Sequence, residues 1–537
     1  MYIRRNPLRT SRKLAARRAR TTHTGGALLV VAALLVSACS GGAWRSADSS
    51  AADVALAALP RSTPAALAPY YGQRAHWRSC GVPGFECATL KAPLDYDKPA
   101  DGDVRLAVAR KKATGPGERL GSLFVNPGGP GGSAIGYLQA YAGIGYPAEV
   151  RARYDMVAVD PRGVARSEPV ECLDGRDMDT YTQTDSTPDD ARETSELVDA
   201  YKEFAESCGV HSSELLRHVS TVETARDMDM VRAVLGDARL NYVGASYGTF
   251  LGATYAGLFP GRAGRLVLDG AMDPSLSARR MNLDQTAGFE TAFQAFAKDC
   301  VQQPDCPLGA RGTTPAVVGR NLKAFFGKLD AHPIPTGDAD GRRLGEALAT
   351  TGVIAAMYDE SSWAQLREAL TSAMRENDGA GLLVLSDSYY ERDGDGRYSN
   401  LMSANAAVNC LDLPPAFDGP EEVEKALPSF GKASPVFGEG LAWASLNCAY
   451  WPVRATGRPH RIEAPGAAPI VVVGTTRDPA TPYRWARALA AQLSSGRLLT
   501  YEGDGHTAYG RGSSCIDSAI DAYLLRGTPP ADGKRCS

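Results

Sequence analysis

The stretch Leu240-Asn241-Tyr242-Val243-Gly244-Ala245-Ser246-Tyr247-Gly248-Thr249 constrains this chain more than any other. An apolar run suited to a buried strand, Leu240 to Val243, ends in Gly-x-Ser-x-Gly and passes into Thr249 to Tyr255, which has helical spacing. A serine on a strained strand-to-helix turn is a nucleophile elbow. Small residues at Gly244 and Gly248 allow a turn tight enough to lift the Ser246 hydroxyl clear of the sheet, and the new helix aims its first N–H groups at any charge forming there. The bland alternative is an ordinary Gly-Ser turn, because a chain with 56 glycines produces the pattern easily by chance. Ser246 becomes a strong nucleophile candidate only if the rest of the machinery follows in order.

A chain of 537 residues is too long for one ordinary domain but suits a large α/β domain carrying an insertion. Its composition, 44% hydrophobic and 22% charged, allows a sizeable core. A net charge of −3 argues against a nucleic-acid partner, which would need a concentrated basic face. The first residues are biased: arginines at 4, 5, 9, 12, 17, 18 and 20 precede an apolar run from Ala27 to Val36 and then Val36-Ser37-Ala38-Cys39. A basic region, a short apolar run and small residues before a cut site describe an export signal, and the run is too short to span a bilayer. Val-Ser-Ala-Cys resembles a bacterial lipobox, which implies cleavage before Cys39 and acylation of its thiol. Two or more acyl chains, at about 0.8 kcal/mol per buried CH₂, would hold the protein on the outer face of the cell membrane. Otherwise the protein is secreted. Arg4-Arg5 hints at twin-arginine export, but Asn6-Pro7-Leu8 fits that signal loosely.

Cysteine arithmetic points the same way. Without Cys39 the eleven cysteines reduce to an even ten, and lipidation accounts for the odd one. The ten fall into sequence-local couples: Cys80 with Cys87, Cys172 with Cys208, Cys300 with Cys306, Cys410 with Cys448 and Cys515 with Cys536. Five disulfides and an oxidising compartment are therefore expected. Sequential pairing is the simplest choice among many. Zinc is the alternative, but no Cys-x₂-Cys couple or histidine cluster has ligand spacing, so neither metal nor cofactor is expected.

Taken in order, residues 1–38 read as the export signal and 39–69, rich in Ala, Ser and Pro, as a flexible tether with order starting near Tyr70. A first core segment spans 70–278. In it Asp103 to Lys112 alternates like a strand, and a buried strand, Gly121 to Val125, runs into Asn126-Pro127-Gly128-Gly129-Pro130-Gly131-Gly132-Ser133. A glycine-dense loop leaves backbone N–H groups unobstructed, as an oxyanion hole requires, and the Lys and Ser/Thr of a phosphate loop are missing. The expected donors are the N–H of Gly129, with Gly128 as the alternative, and the N–H of Tyr247. The strand Tyr154 to Asp160 leads into Pro161-Arg162-Gly163, where Asp160 and Arg162 are expected to pair and brace the loop. Residues 175–210 read as polar helix or loop, and Thr221 to Leu235 as an amphipathic helix feeding the elbow strand. From 279 to 465 alternation stops and helical segments such as Thr286 to Phe296, Val317 to Leu329 and Trp363 to Met374 suggest an inserted, mainly helical cap. Alternation returns over 466–537, with Pro469 to Gly474 before Thr475-Thr476-Arg477-Asp478-Pro479, and Gly496 to Tyr501 before Glu502-Gly503-Asp504-Gly505-His506.

The order is therefore Ser246, Asp478, His506, with acid and base each in a loop after a strand, which is the order of the α/β-hydrolases. A serine hydroxyl is a poor nucleophile at neutral pH, so His506 takes its proton and later returns it to the leaving group, while Asp478 fixes the imidazole tautomer. Of seven histidines only His506 follows the last strand. The expected fold is an α/β-hydrolase, a mostly parallel sheet flanked by helices with the inserted cap.

Six segments together resemble the tripeptidyl aminopeptidase and prolyl iminopeptidase branch of that fold, especially exported actinobacterial peptidases with a TAP-like C-terminal segment. They are N-P-G-G-P-G-G-S (126–133), D-P-R-G (160–163), N-Y-V-G-A-S-Y-G-T (241–249), V-L-D-G-A-M-D-P (267–274), R-D-P-A-T-P (477–482) and G-D-G-H (503–506). Asn126-Pro127 departs from the histidine that prolyl iminopeptidases carry before the glycines, which leans the resemblance towards the tripeptidyl type. The resemblance implies a serine aminopeptidase that hydrolyses peptides from a free N-terminus through an acyl-enzyme, with the cap setting how many residues fit. Such an enzyme needs fixed negative charge for the substrate ammonium. Asp359 and Glu360 in the cap are candidates, as is Asp412 in Ala407-Val408-Asn409-Cys410-Leu411-Asp412, which is similar to a cysteine-and-acid motif of the family. Solvated surface acids are the plain alternative for each. The rivals are a carboxylesterase or lipase using the same triad and a noncatalytic surface-binding lipoprotein. The expected partners are peptide substrates and a membrane surface.

Overall fold

The computed structural model describes residues 62–537 together with Leu56, Ala58 and Leu59. Cys39 and the export signal lie outside the described residues. A ten-stranded sheet forms the backbone of the fold: β1 (Arg78–Ser79), β2 (Glu86–Pro93), β3 (Asp103–Lys111), β4 (Ser122–Asn126), β5 (Asp155–Val159), β6 (Leu240–Ala245), β7 (Ala263–Asp269), β8 (Ile470–Arg477), β9 (Gly496–Asp504) and β10 (Lys534–Cys536). Their spatial order is β1-β2-β3-β5-β4-β6-β7-β8-β9-β10, antiparallel up to the β3–β5 pair and parallel beyond it. The central strands are covered on both faces. Accordingly β4 (SLFVN) and the first half of β8 (IVVV) are continuous buried runs rather than alternating ones.

Register sets the position of every loop that matters below. Asn126 pairs with Gly244, Ala245 with Asp269, and Asp269 with Val473. The carboxyl ends of β4, β6, β7 and β8 therefore stop at one level, and the crevice outside that edge is where open α/β sheets bind ligands.

Some of the helices begin at side-chain caps. In α1 (Ala191–Ser212) Asp190 accepts from the Glu193 N–H, and in α2 (Thr221–Val234) Ser220 accepts from the Glu223 N–H in an S-x-x-E box. The elbow helix α3 (Tyr247–Leu258) is buried along almost its whole length. The insertion after β7 starts with α4 (Ala278–Cys300) and includes α5 (Glu346–Met357), α6 (Leu401–Asp412) and α7 (Pro420–Ala433), plus a two-stranded ribbon, Ile334–Pro335 with Arg343–Leu344.

The cap has a second source that periodicity did not reveal. Leu197, Val198 and Tyr201 of α1 share a buried cluster with Phe417, Val423, Phe430 and Trp443, so the segment after β5 is part of the cap's core. Packing also extends ahead of Tyr70. A short helix runs from Ala65, the Leu59 N–H donates to Leu258 O at 2.7 Å, and Leu56 packs beside α3. The end of the expected tether is thus packed on the core.

All five cysteine couples close in the sequential order expected. Cys80 is bonded to Cys87, which pins β1 to the start of β2. Cys172 is bonded to Cys208, which fastens the segment after β5 to α1. Cys300 is bonded to Cys306 at the end of α4. Cys410 is bonded to Cys448, and Cys515 to Cys536 of the edge strand β10. Every described cysteine is thus bridged, as expected of a protein that matures in an oxidising, exported compartment. No helix among the described residues is long and apolar enough to cross a membrane.

Asp160 and Arg162 do brace the loop after β5, but not by pairing with each other. Arg162 is completely buried and makes a bidentate pair with Asp227 of α2, both contacts 2.7 Å, while donating to the carbonyls of Pro93, Leu94 and His218. Asp160 instead accepts from Ser133 Oγ at 2.8 Å and the Ile135 N–H at 2.9 Å, which ties it to the glycine-rich loop. Both residues lie past the end of β5 at Val159, where the chain turns at Arg162 and Gly163, and each finds its partners on other elements. Asp227→Asn leaves the buried guanidinium with only Glu223, 3.7 Å away, to offset its charge, and is expected to cost about 3–5 kcal/mol of stability, read as a lower denaturant midpoint.

Candidate active site

Ser246 sits between β6 and α3 with φ 56° and ψ −125°, a conformation costing a non-glycine residue about 1–3 kcal/mol that only a well-determined turn retains. Its N–H donates to Asp269 O at 2.9 Å, which fixes the elbow to β7. The glycine-rich loop closes over it. Gly128 has φ +94°, and a Cβ there would stand 2.5 Å from Ala245 O and 3.0 Å from Tyr247 N, so this contact admits only glycine. The Gly128 N–H is taken by Asn126 Oδ1 at 2.9 Å. The alternative donor Gly128 is therefore already engaged, and Tyr247 is the first residue of α3, whose N–H has no preceding helical carbonyl to meet.

His506 is held from three sides. Its Nδ1 lies 2.9 Å from both carboxylate oxygens of Asp478 and 3.3 Å from Thr481 Oγ1. Asp478 Oδ1 also accepts the N–H groups of Ala480 and Thr481 at 2.9 and 2.8 Å, so the acid is locked by its own turn. The His506 N–H donates to Tyr358 O of the cap at 2.8 Å, Arg511 donates to His506 O at 2.6 Å, and the Tyr358 ring stands edge-on to the imidazole. With the Nδ1 proton directed at Asp478, Nε2 is the basic nitrogen.

Ser246 Oγ and His506 Nε2 are both buried, and neither makes a hydrogen bond among the described residues. The contact between them is not formed in this conformation; such bonds often tighten only with substrate bound. One residue joins their two loops. Asp269, whose carbonyl holds the elbow, accepts the N–H groups of Ala508 at 3.0 Å and Tyr509 at 2.8 Å on its carboxylate, and the next residue, Gly270, packs against the imidazole. Burial pushes the Asp269 carboxyl above the usual carboxylate range, although the two N–H groups oppose the shift.

A cavity of about 720 Å³ opens beside His506, within the range of sites that engulf small ligands. One wall is aromatic, with Tyr137, Tyr141, Tyr146 and Tyr509; Tyr358 and Trp363 come from the cap. Asp359 and Glu360 line it too. Asp359 pairs with Arg511 at 2.9 Å, whereas Glu360 makes no ion pair among the described residues.

Comparison with known proteins places this geometry. The family described as TAP-like protein matches residues 434–536. Serine protease Hip1 of Mycobacterium tuberculosis is 40% identical over 492 residues, covering 87% of this chain and 92% of that protein. Tripeptidyl aminopeptidase of Streptomyces lividans is 31% identical over 557 residues, 98% of both chains. Carboxylesterase B of Mycobacterium tuberculosis is 39% identical over 483 residues, covering 88% of this chain and 91% of that protein. The chain belongs to the tripeptidyl-aminopeptidase-type α/β-hydrolases.

Within this family member Asp412 does not reach the cavity. It ends α6 and accepts the Thr221 N–H at 2.9 Å and the Thr221 hydroxyl at 2.5 Å, and that hydroxyl in turn meets Tyr247 OH. Its carboxylate therefore caps α2 and stands behind the elbow tyrosine instead of facing substrate. Sequence reasoning also missed Asp269, Thr481 and the Tyr358 carbonyl. An acid at a strand's carboxyl end was the one available signal for Asp269, and a backbone carbonyl carries none.

Burial raises the Asp412 carboxyl to about 7, assisted by nearby Glu223. A folded-state value above the unfolded one, about 3.9, adds stability that is complete at low pH and is lost as pH rises through about 7. Asp412→Asn should remove this component, so unfolding midpoints measured from pH 4 to 8 should fall more steeply with pH for the parent than for the variant.

Proposed function

We propose that the protein is an exported serine exopeptidase that releases short peptides, of tripeptide type, from free N-termini through an acyl-enzyme on Ser246. His506 Nε2 takes the Ser246 proton as Oγ attacks the scissile carbonyl, and Asp478 stabilises the imidazolium. The oxyanion is met by the N–H groups of Gly129 and Tyr247. Collapse breaks the C–N bond and the departing amine takes the proton from His506; water then attacks the ester by the same route in reverse, freeing Ser246. The observation that carries this reading is the Asp478–His506 pair held beside a strained serine elbow, with a cavity opening at the imidazole.

Glu360 is the carboxylate we assign to the substrate ammonium. Asp359 is neutralised by Arg511, while Glu360 stands on the cavity wall with no ion pair among the described residues. A carboxylesterase reading is favoured by one relative's name and by the fact that the same triad cleaves esters. Finally, Cys39 is proposed as the acylated residue that attaches the enzyme to the membrane surface.

Three measurements check these statements. Fluorophosphonate labelling should vanish in Ser246→Ala. A tripeptidyl anilide with a free amine should be cleaved at least about 100-fold better, by kcat/KM, than its N-acetylated form, and Glu360→Gln should reduce that preference about 10- to 100-fold, as loss of a charged hydrogen bond worth about 1.5–3 kcal/mol implies. Equal turnover of blocked and free substrates, with faster cleavage of a short acyl ester, would instead establish the esterase. Cys39→Ala should move the enzyme from the membrane pellet to the soluble fraction of a cell lysate.

A further inference from the structure

The helix α6 belongs to the cap by position in the chain, yet it faces the core at three points. At its start Asn400 accepts the Ala165 N–H at 2.9 Å and donates to the carbonyls of Gly163 and Val170, gripping the loop after β5. At its end Asp412 holds Thr221 behind Tyr247. Between them Asn405, completely buried, donates from Nδ2 to Pro130 O at 3.0 Å.

That middle contact falls on the glycine-rich loop next to Gly129. Gly129 has φ +113°, open to glycine and poorly defined by local preference, so its N–H direction has to be fixed by its neighbours. On one side Gly128 is wedged against Ala245 and Tyr247. On the other, Pro130 is held by Asn405, and Gly131 lies so close to Leu401 that a Cβ there would stand 2.4 Å from its carbonyl oxygen. The Asn405 amide cannot simply flip, because Asn409 Nδ2 donates to its Oδ1 at 2.9 Å.

We infer that Asn405 is a positioning residue for the oxyanion hole: through Pro130 the cap helix sets the direction of the Gly129 N–H. The inference rests on Ser246 being the nucleophile, but not on the nature of the substrate. An oxyanion donor is worth about 100- to 1000-fold in kcat, and its benefit depends on aim at the developing charge rather than on ground-state binding. Weakening its support should therefore lower kcat and leave KM nearly untouched.

The test uses the full-length enzyme with Asn405→Asp, which keeps the shape and removes the donor. Competent sites are counted by fluorophosphonate titration, and kcat and KM are measured for a tripeptidyl anilide and for 4-nitrophenyl acetate. The expected result is a fall of about 10- to 100-fold in kcat per titrated site on whichever substrate is turned over, KM within about twofold, and an equal rise in the inhibition constant of phenylboronic acid, whose tetrahedral adduct places an anion in the hole. Unchanged kcat per titrated site and unchanged boronate inhibition, with only fewer competent molecules, overturns the inference by showing a purely structural role. Should Asn405→Asp fail to fold, Asn409→Ala, which removes the donor to Asn405 Oδ1, is expected to give the same signature about two- to fivefold, and no change there overturns it. Absence of titratable sites in the parent enzyme is a failure of Ser246 as nucleophile, and so is distinguishable.

Discussion

The catalytic geometry depends on one buried carboxylate that takes no part in the triad. Asp269 lies at the end of β7 between the elbow strand and the strand that leads to Asp478, paired in register with Ala245 and Val473. Its carbonyl holds the Ser246 N–H, and its side chain holds the N–H groups of Ala508 and Tyr509, just after His506. A carboxylate removed from water is tolerated only when donors surround it, and here the donors are the two segments that must be aligned. The cost of burial is thereby turned into a constraint on position.

The cap enters the same machinery. Tyr358 O receives the His506 N–H, Asp359 pairs with Arg511 of the histidine loop, and Asn405 holds the loop over the elbow. The Cys410–Cys448 bridge ties α6 to the rest of the cap. These contacts fall on two loops, the one that carries His506 and the glycine-rich one over the elbow, so the cap braces both. The cavity beside His506 is therefore a chamber with working walls: its aromatic side belongs to the sheet domain and its charged rim mainly to the cap.

Much of this is legible in the sequence because it is written in local patterns. Continuous apolar runs mark parallel strands, S-x-x-E marks the start of α2, and Gly-x-Ser-x-Gly marks the turn between β6 and α3. The order of Asp478 and His506 after two late strands follows from the same patterns, and sequential pairing of the cysteines anticipates the bridges. Partners are what such patterns assign wrongly. Arg162 has an acid two residues away, yet the chain turns beyond β5 and its buried mate is Asp227. Asp412 has the look of a residue facing substrate, yet it closes the end of a helix against Thr221. The polar character of residues 175–210 hides the apolar stripe of α1 that joins the cap.

By itself the sequence determined the class of fold, the serine turn and the late aspartate and histidine that meet in the structure, because each depends on periodicity and spacing over a few neighbouring positions. Only the tertiary structure decided which of 61 acidic residues line the cavity, which cap a helix and which join loops. The reason is that a carboxylate is chemically the same in all three roles, and its role is set by what strand register and packing bring within about 3 Å of it.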